Sequence, residues 1–127
     1  MLEIHAPHDD VRVIAVAGDI PMTVARGLVV EAMRSLQDEG IKRLAIDVTA
    51  ATGLGAPHVA TRLDVVREWA AAARPGLALA FVGPESIMDA QRVGLVVARG
   101  SGMIIDVFHS RADAVDWLRA QPGLTGR

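Results

Sequence analysis

The sequence predicts an α/β domain: one mostly parallel sheet that opens with an antiparallel hairpin, in the order ββαβαβαβα. Short apolar runs alternate with longer stretches whose apolar residues recur at helical spacing. Gly and Pro fall at the joints between them. From the second strand onward each strand is followed by a helix, and such units close as parallel crossovers. At 127 residues the chain suits one domain. We assign residues 1–120 to it and read 121–127 as a flexible tail.

Leu2 to Ala6 and Val11 to Ala17 read as the hairpin strands, joined by the turn formers Pro7-His8-Asp9-Asp10. Pro21 to Glu39 reads as the first helix. Pro21 suits the first helical position and Gly40 the stop, and Ala25, Leu28, Val29, Ala32, Met33 and Leu36 line one face. Lys42 to Val48 is a strand with few polar residues, as expected for one covered on both faces. Pro57 to Ala73 is the second helix, with Trp69 on its buried side, ended by Arg74-Pro75-Gly76. Leu77 to Val82 is the most apolar strand. A third helix is expected from Pro84 to Arg99, a strand from Met103 to Phe108, and a last helix from Ser110 to Ala120, with Ser110 and Asp113 as a capping pair.

Bulk properties narrow the function. The 51% hydrophobic content and 22% charged content are those of a globular chain. Without cysteine there is no disulfide, thiolate metal site or cysteine nucleophile, and the composition fits a reducing, cytoplasmic setting. No apolar run approaches the about 20 residues that span a bilayer, and the start lacks the pattern of a leader, so no integral membrane association is expected. A net charge of −2 with scattered Lys and Arg gives no footprint for nucleic acid.

Candidate chemistry gathers after the third strand. Asp47 lies where ligands bind open sheets, beyond the carboxyl ends of parallel strands; it is read either as a ligand or phosphoryl acceptor, or as an acceptor of hydrogen bonds from the loop after it. Thr52-Gly53-Leu54-Gly55 is either a phosphate-holding loop or the bend from strand to helix. It lacks the third Gly of a dinucleotide fingerprint and the Gly-Lys-Ser/Thr of a P-loop, which favours the bend. His58 and His109 fall near strand-to-helix edges and could share a cleft, but no ligand spacing, His-Glu pair or nucleophile elbow accompanies them. No catalytic residue, metal or cofactor is assigned. The third helix, with Val93, Leu95, Val96, Val97 and Ala98 on more than one face, is either wedged under neighbouring elements or shows an apolar patch to a second subunit, and a homodimer is expected from it.

The strand "KRLAIDVT", the Thr-Gly-Leu-Gly bend and the closing "VFHSRADAVDWL" together resemble STAS domains, and within them the SpoIIAA-like group of small stand-alone proteins. The resemblance spans Leu2 to Leu118 and implies a non-enzymatic regulatory or protein-interaction domain. In the anti-sigma-factor antagonists of that family a kinase phosphorylates the Ser before a Gly-Leu-Gly, and Thr52 holds that place. A phosphoryl group brings roughly −1.5 to −2 charges, enough to disrupt a docked interface. Ala50 and Ala51 stand where that branch has an acidic residue and a second hydroxyl, and Pro57, suited to a first helical turn, leaves Thr52 about a turn upstream. The resemblance implies a protein partner and is compatible with a homodimer. The fold is also compared with lipid-binding CRAL-TRIO domains, which implies the alternative: a module binding a small apolar ligand or a nucleotide between helices and sheet.

Overall fold

The computed structural model describes residues 2–52, 67–69, 71–83 and 104–121. Its strands are β1 (Leu2–His8), β2 (Val11–Gly18), β3 (Arg43–Ala51), β4 (Ala78–Val82) and β5 (Ile104–Phe108), and its longer helices are α1 (Met22–Asp38) and α2 (Arg111–Arg119). The strands form one sheet in sequence order, antiparallel between β1 and β2 and parallel from β2 to β5. This is the sheet expected from the alternation of elements. The third helix (84–99), most of the second and residues 122–127 of the tail lie outside the described residues.

The hairpin turn is shorter than predicted. β1 continues through Pro7 to His8, leaving Asp9 and Asp10 as the turn. Pro is tolerated there because β1 is an edge strand, where a missing N–H breaks no ladder, and the register shifts between His5 and His8. The Arg12 guanidinium closes the turn, its Nη1 donating to the carbonyls of His8, Asp9 and Val11 at 3.0, 3.1 and 3.0 Å.

Pro21 is the cap of α1 rather than its first helical residue, with an extended backbone whose carbonyl accepts the N–H groups of Val24 and Ala25. At the other end Gly40, at φ +92°, donates to Gln37 O while Ile41 donates to Leu36 O. This pair of bonds is a Schellman stop, and it needs the left-handed conformation that glycine adopts freely.

Strand pleating sends alternate side chains to opposite faces. One face carries Ile14, Val16, Leu44, Ile46, Leu79, Phe81 and Ile105 under α1. Residues 67–69 and 71–72 are helical on the same side, with Trp69 stacked on Phe81 at 5.6 Å. The buried Gln37 joins the two helical segments: its Nε2 donates to Met33 O and Ala72 O, and its Oε1 accepts the Arg74 N–H. The opposite face carries Val11, Val13, Ala45, Ala78, Ala80 and Val82 beneath Ala114, Val115 and Leu118 of α2.

Candidate functional site

Asp47 was expected at the end of its strand, but β3 runs on to Ala51. The last pair between β3 and β4 is Asp47 with Val82. On its other side β3 stays paired with β2, where Ala15 faces Asp47 and Ala17 faces Ala50. Three steps on β3 thus match two on β2, a bulge that takes the Thr49 N–H out of the regular ladder.

Asp47 supplies the missing acceptor. Its Oδ1 accepts the Thr49 N–H at 2.9 Å and the Thr49 hydroxyl at 2.6 Å, and its Oδ2 accepts Nε–H of Arg111 at 2.8 Å. The carboxylate is 3% exposed, whereas the Arg111 side chain is 43% exposed. Burial alone would raise the Asp47 pKa, but the Thr49 hydroxyl and N–H and the Arg111 guanidinium together outweigh it and hold the carboxyl below its ordinary value. The ionised group is therefore the stable one. Both oxygens are engaged, so this carboxylate links β3, where its pairing with β4 ends, to the start of α2.

Thr52 stands immediately beyond β3. Its side chain is exposed, while its N–H donates to Gly18 O at 2.9 Å and ties it to the end of β2. Gly18 has φ +86°, the backbone turn that lets β2 leave the sheet beside it. At the same edge Gly83 N–H donates to Phe108 O at 3.2 Å. His109 follows β5 and is exposed, one residue before the cap of α2. Gly53, Leu54, Gly55 and His58 lie outside the described residues. Among the described residues no three His, Asp or Glu side chains are grouped to hold a metal ion.

Sequence reasoning placed Asp47 and Thr52 on this edge but overlooked Arg111. The signal was there: a cation in the first turn of a helix opposes the dipole, so Arg directly after the cap Ser110 calls for an anionic partner. Thr two residues after Asp47 is likewise a local hydrogen-bonding pattern.

No family model matches the sequence, and no curated protein does. A solved structure does: the anti-sigma factor antagonist from Mycobacterium paratuberculosis superposes with a TM-score of 0.64 at 19% identity, over 94% of this chain and 93% of that one. The chain has the fold of an anti-sigma factor antagonist, as its resemblance to SpoIIAA-like STAS domains implied.

Proposed function

We propose that this chain is a non-enzymatic regulatory domain that docks an anti-sigma factor in the cytoplasm, using the carboxyl edge of its sheet, and that Thr52 is the residue whose phosphorylation releases the partner. The observation that carries the reading is the position of Thr52, exposed on an edge whose backbone is fixed by the Thr52-to-Gly18 hydrogen bond and braced by Asp47 and Arg111. A side chain on a rigid rim can carry a new charge into an interface without the rim adjusting to it. Fold likeness to an anti-sigma factor antagonist supplies the class of partner.

The test is binding to the anti-sigma factors of the same genome, measured by calorimetry with wild type, Thr52→Ala and Thr52→Glu. The first two should bind alike and the third should lose binding, because a fixed carboxylate at the rim is repelled and desolvated at cost. Equal binding by all three removes Thr52 from the interface, and binding to none removes the partner class.

A further inference from the structure

β1 is an edge strand whose outer side has no strand partner among the described residues. Every second residue of such a strand directs its N–H and C=O outward, a template for pairing with another chain. Proteins commonly blunt such edges with proline and bulges, and β1 has both, but only after His5. From Leu2 to His5 the strand is regular. At its centre Ile4 is 46% exposed, one of two large apolar side chains so exposed among the described residues. It stands on the lip of an open groove between β1 and α1, with Leu2, Leu28, Ala32 and Leu36 on its apolar wall and Glu31, Ser35 and Glu39 along α1.

The chemistry of this stretch is self-complementary. If a second copy lies antiparallel about Ile4, each residue meets the one whose number adds with its own to eight. Leu2 then faces the other copy's Ala6, Ile4 faces Ile4, and Glu3 faces His5 on both sides of the axis. Directly opposed side chains lie about 4.5–5.5 Å apart at Cβ. Glu3 and His5 already project from one face, 3.5 Å apart within the chain, and both are about half exposed. Their cross-strand pairing gives each carboxylate an imidazole N–H donor. On the other face the two Ile4 side chains cover one another and the mouths of the two grooves.

We propose that β1 is a homodimer interface: two copies pair through it antiparallel about Ile4 and continue the sheet across a two-fold axis. A second copy is the occupant that this strand's own charge order selects. The inference is independent of Thr52, which lies beyond β3 rather than on this edge.

Sedimentation equilibrium decides it. Wild type should sediment at twice the 13.4 kDa chain mass. His5→Glu places two carboxylates opposite each other at both ends of the pair and should weaken self-association roughly tenfold, as should Glu3→Lys with His5→Lys through two cationic clashes. An equimolar mixture of those two variants should recover the dimer, since every opposed pair is then of unlike charge. The substituted side chains are exposed, and circular dichroism checks that each variant is folded. A wild type that stays monomeric at the highest soluble concentration overturns the proposal. So does a dimer indifferent to both variants, or a mixture no more associated than its components.

Discussion

The two faces of the sheet are held by different means. Under α1 lie large side chains, and α1 itself runs for 17 residues, so burial of apolar area is the larger part of what fixes it, with Gln37 and the Arg26 to Glu68 pair joining it to the neighbouring helical segment. Under α2 lie the small residues Ala45, Ala78 and Ala80, and α2 has only nine residues. It packs on the sheet through Ala114, Val115 and Leu118. Its position is completed by polar contacts at both ends: an ion pair from Arg111 to Asp47 at the start and, beyond the other end, a hydrogen bond from Arg43, itself paired with Asp10, to Gln121 O at 2.8 Å. Directional contacts thus add to small-residue packing in locating α2, and one of them lies beside the candidate docking edge.

Truncation should therefore hurt most under α1 and enlargement under α2. Leu79 is fully buried in β4 beneath the α1 side, and Leu79→Ala should cost about 3 kcal/mol of unfolding free energy by urea titration. The neighbouring Ala80 points to the other face. Ala80→Leu should cost about 2 kcal/mol by lifting α2 off the sheet, and should weaken the Arg111 to Asp47 contact with it. An Ala80→Leu protein as stable as wild type would mean that α2 is not held close by small side chains.

The ionic link comes next in size. Asp47→Ala leaves the Thr49 N–H at the bulge without its acceptor, whereas Arg111 is exposed enough to turn to water, so a loss of about 2 kcal/mol is expected. Asp47→Asn should lose less, because the amide oxygen still accepts from Thr49. The pH dependence separates charge from shape. The folded carboxyl titrates below its ordinary value, so the unfolded chain binds the proton more readily. The stability it contributes is full above the ordinary carboxylate range and is lost as pH falls through that range to the folded value. Urea midpoints of wild type and Asp47→Asn should differ near neutrality and converge in acid. Parallel curves would assign the loss to shape alone.

Much of this was legible in the chain. Period and punctuation placed β2, β3, β4 and α1 because their burial is strongly one-sided or complete, and β1 and β5 because their apolar residues lie between turn formers. Element ends were less legible, since they depend on long-range partners. β3 continues past Asp47 because β2 remains beside it, and β1 passes through Pro7 because no described strand pairs with its outer edge, so the missing N–H breaks no ladder among the described residues. The same applies to the site. Thr52 does follow a strand end, but Asp47 was expected at one and lies inside β3, and the Asp47 to Arg111 pair joins residues 64 positions apart, which no local pattern specifies.

The smallest predicted effect concerns how the start of α2 is held. Ser110 Oγ accepts the Asp113 N–H at 3.1 Å, a solvent-exposed cap on a helix too short to be stable alone. Ser110→Ala should cost about 1 kcal/mol, and Ser110→Gly only a few tenths, because glycine takes up the cap conformation and lets water reach the freed N–H. The cap and the ionic link meet in the same turn, since Arg111 is the first helical residue. Loss of the cap frays that turn and loosens Arg111 from Asp47. Ser110→Ala combined with Asp47→Ala should then cost less than the two separately, by about 0.5 kcal/mol or more in a double-mutant cycle. Strict additivity would mean that the two contacts act independently, and that the carboxyl edge is held by Asp47 whether or not α2 is well formed.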